Sequence, residues 1–420
     1  MPFTAADCER ARRDFPALNR TLDGQPLAFL DGPAGTQVPE AVIDAIAGYY
    51  RTANANTHGE FATSRASDRL LHETREAVAA FLGAPSWREV SFGQNMTTLN
   101  FSLSHALARE MRAGDEIVIT QLEHEANRAP WLALQERGIA VREVALRPDG
   151  TLDPEDFARQ VTERTRLVAV VMASNALGTV TDVALARRLA RQAGAWLLLD
   201  AVHYAAHLPL DVQELDADFL LCSAYKFYGP HVGILYVRPG LLARLPTERL
   251  RTQEEEAPWR FEMGTLNHAA LAGVKATVEY LASWGEGETL RQRIVAAMAG
   301  IAGYEHGLGA YYHAEARRIP GVTVWGPDFS GPRAPTISIT IDGVHPAEAA
   351  RRLGEKGLQV WDGHFYALRP IEALGLAEKG GVIRTGIVMY NTREEVDRLL
   401  AAVAEIAGSA NPVYGLANPV

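Results

Sequence analysis

Short, purely apolar runs that stop at a polar residue recur along this chain, separated by stretches of helical period. No other feature limits the possible folds as much. Trp196-Leu197-Leu198-Leu199 ends abruptly at Asp200, and Leu167 to Met172 and Ile117-Val118-Ile119 read as further buried strands. Phe219-Leu220-Leu221-Cys222 and Gly233-Ile234-Leu235-Tyr236-Val237 bracket a polar turn that contains Lys226. Helical periods alternate with these runs, which is the α/β signature. Ser67 is expected to open a helix that carries Leu70, Leu71, Thr74, Val78, Phe81 and Leu82 on one face, with Gly83 and Pro85 as stop signals. A strand at Glu89 to Phe92, a turn at Gly93-Gln94-Asn95 and a helix from Thr97 to Leu107 follow.

Near Gly331-Pro332 the pattern changes. Ile337, Ile339 and Ile341 alternate with polar residues, as in a half-covered sheet. A helix from Pro346 to Leu353, a strand at Leu358 to Trp361 and a final helix opened by the capping box Thr392-Arg393-Glu394-Glu395 complete the pattern. The chain is expected to divide into an N-terminal segment at 1–25, a large α/β domain at 26–290, a small α+β domain at 291–408 and a flexible tail at 409–420. Among 420 residues, 22% are charged and the net charge is -10, which argues against a nucleic-acid partner. No apolar stretch approaches the ~18 residues of a membrane helix. Two cysteines, Cys8 and Cys222, rule out a disulfide framework, and with no signal-peptide core at the N-terminus a cytoplasmic location is expected.

The phosphate-binding fingerprints of ATP and dinucleotide enzymes are absent. Gly93-Gln94-Asn95-Met96-Thr97 nevertheless links a strand to a helix start, which could hold a phosphate or be an ordinary capped helix. Asp200, ending an all-apolar strand, belongs at the carboxyl edge of a sheet, where open α/β sheets place ligands. Lys226, flanked by Tyr225 and Phe227, would be partly desolvated, which favours the neutral amine. A strand-end carboxylate with a strand-loop lysine is what pyridoxal 5′-phosphate (PLP) requires. The alternative is an aspartate cap and a snorkelling lysine. His203 and His207 form an H-x-x-x-H, but Tyr204 stands where a zincin has glutamate and no third ligand is apparent, so no metal is expected.

Further polar residues punctuate the other strand ends: Gln121-Leu122-Glu123-His124-Glu125-Ala126-Asn127 and Ala173-Ser174-Asn175-Ala176-Leu177-Gly178-Thr179. With these motifs the chain resembles the class V aminotransferases, fold-type I PLP enzymes, in their cysteine desulfurase/selenocysteine lyase branch. The resemblance runs from Leu30-Asp31-Gly32-Pro33-Ala34-Gly35-Thr36 to Arg384-Thr385-Gly386. It implies a large domain with a mostly parallel mixed sheet and a small α+β domain. It also implies roles. Lys226 would form the internal aldimine and shuttle the Cα proton, Asp200 would pair with the pyridine nitrogen, and His124 would stack on the ring. Asn175 would lie beside the ring hydroxyl, and His203 falls where the family usually has glutamine. Ser223 would bind the phosphate, as would Tyr225 in place of the family's histidine. Asn95 and Met96 replace the usual threonine pair, leaving more of that contact to backbone N–H groups. Phe261-Glu262-Met263-Gly264-Thr265 resembles the segment that reaches a neighbouring subunit's phosphate through Thr265, which implies a homodimer with shared active sites. Arg384 matches the arginine that grips the substrate carboxylate.

One departure bears on the reaction. The family's desulfurases carry a persulfide on a loop cysteine, and in Val360-Trp361-Asp362-Gly363-His364-Phe365-Tyr366-Ala367 the matching position is Tyr366. His364 and Tyr366 could shape the substrate pocket, protonate a leaving group or serve loop packing. The resemblance therefore implies a PLP enzyme acting on an L-amino acid, with β-elimination of a sulfur leaving group as the favoured outcome. Epimerisation, decarboxylation with C–C bond formation and transamination use the same first steps. A non-catalytic PLP-fold binding protein is the reading from a different class.

Overall fold

The computed structural model describes residues 2–410. The expected tail at 409–420 therefore lies, from residue 411 onward, outside the described residues. Seven strands form the main sheet: β1 (Val90–Gly93), β2 (Glu116–Thr120), β3 (Ala140–Val144), β4 (Thr165–Val171), β5 (Trp196–Asp200), β6 (Phe219–Ser223) and β7 (Gly233–Val237), in the order β1-β7-β6-β5-β4-β2-β3. Only β7 runs against the rest, antiparallel to both β1 and β6. All the other strands therefore deliver their carboxyl ends to one edge.

The apolar runs are explained by cover on both faces. Leu197 and Leu199 point into a core shared with the helices Ala62–Leu82, Val183–Ala193 and His268–Ala282. Leu198 points the other way, into a core with Met96–Ala108. The helix expected to begin at Ser67 begins at Ala62. Ser67 is no cap, because its hydroxyl donates to Ala55 O (2.8 Å). Ser64 organises the entry instead, accepting from Gly59 N (2.7 Å) and donating to Asn56 O (2.6 Å). Gly83 ends the helix with φ +70°, in the left-handed region where glycine is unstrained.

A second sheet contains β8 (Val322–Trp325), β9 (Thr336–Ile341), β10 (Trp361–Gly363) and β11 (Val382–Gly386), in the order β8-β9-β11-β10 and antiparallel throughout. Ile337, Ile339 and Ile341 face a core with the final helix, Arg393–Ala410, whose capping box forms between Thr392 and Glu395. Ala28 and Leu30 join that same core, and Ala28–Phe29 pairs in parallel with Leu358–Gln359. The early chain is thus woven into the late sheet. The 27-residue helix Leu290–Ala316 bridges the two cores: Ile294, Met298 and Ile301 pack in the first, Leu308, Tyr312 and Ala316 in the second. Among the described residues, no helix is long and apolar enough to cross a membrane.

Candidate active site

The carboxyl edge of the main sheet opens on a cavity. Its lining comes from polar residues within a few positions of successive strand ends: Asn95 after β1, His124 after β2, Asn175 after β4, Asp200 and His203 at the end of β5, Ser223 closing β6, and Tyr225 and Lys226 just beyond it. Residues spread over more than 130 positions meet because each lies where its strand runs out. Met96 also lines the cavity.

Lys226 is 7% exposed, and its Nζ donates to the carbonyl oxygen of Pro33. Burial, reinforced by the positive charge of Arg384 and opposed by Asp200, pulls the amine down to about 7. The turn that carries it is laced to the early chain: Thr36 N and Oγ1 both donate to Tyr225 O, and Tyr228 N donates to Thr36 Oγ1 (2.7 Å). Asp200 is 2% exposed and accepts from Val202 N (2.9 Å). Burial lifts its carboxyl to about 6, against the pull of Val202 N–H and Lys226, so it stays mostly ionised at neutral pH.

Both histidines in the cavity are neutral. Burial, with Lys226 and Arg384 nearby, lowers His124 to about 4. Its Nδ1 accepts from Ala126 N (3.0 Å), which puts the ring proton on Nε2. His203 is held well below its ordinary value by burial, by His207 and by the same two cations. Its Nε2 meets Thr336 Oγ1 at 2.8 Å, and its ring meets His207 edge-on at 4.8 Å. His207 Nδ1 is spent on Glu305 (2.7 Å). The H-x-x-x-H thus flanks a short 3₁₀ turn, Tyr204–Ala206, with His203 Nε2 and His207 Nδ1 each engaged by a protein oxygen.

At the β1 end, Asn95 caps the helix Met96–Ala108 through Oδ1, which accepts from Thr98 N (2.9 Å), and Met96 N donates to Ser223 Oγ (3.2 Å). A Cβ on Gly233 would lie 2.3 Å from the Asn95 carbonyl carbon, so strand and helix start touch through backbone. Tyr225 stacks face to face on His231, with centroids 4.7 Å apart and planes 5° apart.

Arg384, in β11, is 3% exposed. Its Nη1 donates to Asn175 O (3.0 Å), while its Nε is buried without a partner among the described residues. Asn175 Nδ2 donates to Phe365 O (3.0 Å), so the amide expected at a ring hydroxyl ties down the loop. That loop places the Tyr366 ring 5.9 Å from His124 and leaves Tyr366 71% exposed, with His364 exposed beside it. Thr265 is exposed and lies apart from the lysine cavity, on a groove that shares Asn95 with it and also includes His231. Neither cysteine is near the loop: Cys8 donates to Asn391 O and Cys222 lies within β6, both fully buried. Sequence reasoning missed Phe365, His231 and Thr36. The first two stand beside residues it did single out, and aromatic character was their only signal.

The family model of aminotransferase class-V matches residues 28–399. A protein of Enterobacter sp. (strain 638) named cysteine desulfurase is 37% identical over 95% of this chain and 98% of its own length. One of the same name from Salmonella gallinarum is 36% identical over the same shares. Among solved structures, the apo cysteine desulfurase of Thermococcus onnurineus superposes with a TM-score of 0.86 at 28% identity, covering 96% of this chain and 98% of that one. An Escherichia coli cysteine desulfurase solved as the S-sulfonic acid gives 0.82 at 28% identity, over 95% and 98%.

Proposed function

From its membership of the class V aminotransferase family, which the match over residues 28–399 establishes, we propose that this chain is a PLP-dependent C–S lyase acting on an L-amino acid. The fold is that of the fold-type I PLP enzymes, and the donor set fits the cofactor. A buried, near-neutral lysine and a buried strand-end carboxylate face one cavity, with a neutral imidazole between walls that also offer Ser223 and Tyr225. We assign the phosphate end to Asn95, Met96, Ser223 and Tyr225, the ring to His124, Asn175, Asp200 and His203, and the covalent attachment to Lys226. Bound PLP supplies an electron sink for a carbanion at the substrate Cα.

The protein's own groups do the rest. Arg384 offers its unpaired Nε edge to the α-carboxylate, in a setting dry enough to strengthen that pairing. Lys226, brought down to about 7 by its burial so that a large share is unprotonated at neutral pH, would take the Cα proton. The Asp200 carboxylate would keep the ring nitrogen of the cofactor protonated. His124 keeps its Nε2–H over the cavity. The Cβ–S bond then breaks with its electron pair on sulfur, and we assign exposed His364 and Tyr366, the latter 5.9 Å from His124, to the path of the leaving group. With cysteine, substrate and water give pyruvate, ammonia and hydrogen sulfide, and no net oxidation occurs.

The observation that carries elimination over persulfide transfer is the position of the cysteines. Both are buried and their thiols are raised by burial, Cys8 to about 12, whereas the exposed loop position is a phenol. We further propose a homodimer in which Thr265 completes the partner's phosphate site. Exposed Tyr50, Phe61 and Met263 support it, because large apolar side chains at 56–59% exposure suit burial at an interface. A cytoplasmic location accords with two free thiols.

The test is a panel of amino acids given to PLP-loaded protein and read for pyruvate, sulfide, carbon dioxide, α-proton exchange and keto acids. Pyruvate and sulfide from a sulfur amino acid, lost in Lys226→Ala, are expected. Sulfide formed with alanine and a persulfide on the protein would overturn the elimination reading.

A further inference from the structure

Arg384, Asn175 and Phe365 form a closed circuit across three separate elements. Arg384 Nη1 donates to Asn175 O (3.0 Å), Asn175 Nδ2 donates to Phe365 O (3.0 Å), and the Phe365 ring lies against the Arg384 guanidinium, 3.9 Å from Cζ to centroid. The backbone is held in an unfavourable shape to achieve this. Phe365 and Tyr366 are consecutive non-glycine residues with φ of +55° and +57°, a conformation that costs about 1–2 kcal/mol per residue. One long-range and one local bond offset the cost: Glu125 N donates to Tyr366 O (2.7 Å), and Ala367 N donates to His364 O (2.8 Å).

The circuit matters because a guanidinium can turn about its own stem. One hydrogen bond at Nη1 fixes a corner, and an aromatic ring against the face fixes the plane. What remains is the Nε edge, where Nε is buried and has no partner among the described residues. The geometry points to Phe365 as a positioning residue that sets the plane of Arg384 so that its free edge meets the substrate α-carboxylate. This inference rests on the reading of Arg384 as the carboxylate site. It adds that the loop bearing Tyr366 governs substrate affinity through Phe365.

The test uses the full PLP-loaded chain with Phe365→Leu, Phe365→Met, Phe365→Tyr and Arg384→Lys. Calorimetry measures the dissociation constant of L-alanine and of ethylamine, which has the amine but no carboxylate, and steady-state kinetics gives KM and kcat on L-cysteine. Phe365→Leu and Phe365→Met should weaken alanine and raise KM about 2- to 30-fold, the span of one desolvated cation–π contact. Ethylamine binding and kcat should stay within about twofold, and Phe365→Tyr should restore both constants. Methionine keeps the bulk without the ring, so a loss in both variants separates the aromatic face from simple packing. Unchanged alanine affinity in Phe365→Leu and Phe365→Met, with a loss in Arg384→Lys, would overturn the inference alone. An equal loss for ethylamine would overturn it too. Unchanged alanine affinity in Arg384→Lys would instead remove the reading of Arg384 on which it rests.

Discussion

Removing the cofactor should leave Lys226 as a selectively reactive amine. Burial and Arg384 bring it from 10.5 to about 7, so about half is neutral at pH 7, against about 0.0003 of an ordinary lysine. Its concentration of nucleophile is thus on the order of a thousandfold higher. Lys275 provides an internal reference, because its ion pair with Glu279 raises it above the usual value. Stripped protein would be mixed with PLP and cyanoborohydride across pH 6 to 10, and the adduct at each lysine quantified by mass spectrometry. The Lys226 rate should climb through pH 7 and level off, at least about tenfold faster than Lys275 at neutral pH. Arg384→Gln should move the midpoint up, since it removes a repelling cation, and Asp200→Asn should move it down. Because the folded form disfavours the charged amine, the stripped protein should also gain stability as pH rises from about 7 to about 10.5, by up to about 1.4 kcal/mol per pH unit. A midpoint at 9 or above, or a Lys226 no faster than Lys275, would falsify the claim that burial governs this amine.

Two further outcomes follow from the packing. Native protein at pH 8 should resist iodoacetamide at both Cys8 and Cys222, and both should label once unfolded, because both are fully buried with raised thiol values. Labelling of native protein, read by mass spectrometry, would contradict this. Gly233→Ala should weaken PLP binding at least about tenfold and cost about 1–3 kcal/mol in urea denaturation, since its Cβ would meet Asn95 backbone atoms at 2.3 and 2.6 Å. Wild-type cofactor affinity in that variant would show that the strand and helix start can part without harm.

The sequence revealed most about the site where local pattern and position coincide. Asp200, Asn175 and Lys226 each follow a buried strand, and the carboxyl edges of a parallel sheet bring such residues together without further instruction. Contacts between remote side chains were less legible. Nothing in the order of residues shows that the Asn175 amide reaches Phe365 rather than a ligand, or that Tyr225 stacks on His231. The helix Leu290–Ala316 left no clear stripe because its two halves turn apolar residues toward different cores. Ser67 looked like a helix start, but a hydroxyl with a carbonyl within reach need not cap. Thr265 was legible only through resemblance, as its proposed work lies on another copy of the chain.

The parallel pairing of Ala28–Phe29 with Leu358–Gln359 also sets a schedule for synthesis. The strand that leads into Pro33 finds its partner about 330 residues later in the chain. At roughly 5–20 residues per second, that is on the order of 15 to 70 seconds of translation. Until then the strand leading to Pro33 lacks its sheet partner, and the strand carrying Arg384 does not exist. The main sheet can form first, with its lysine loop still open on one side. The reactive amine therefore receives its last constraints only after the residues from Leu358 to Arg384 have been made, long after its own strand and loop.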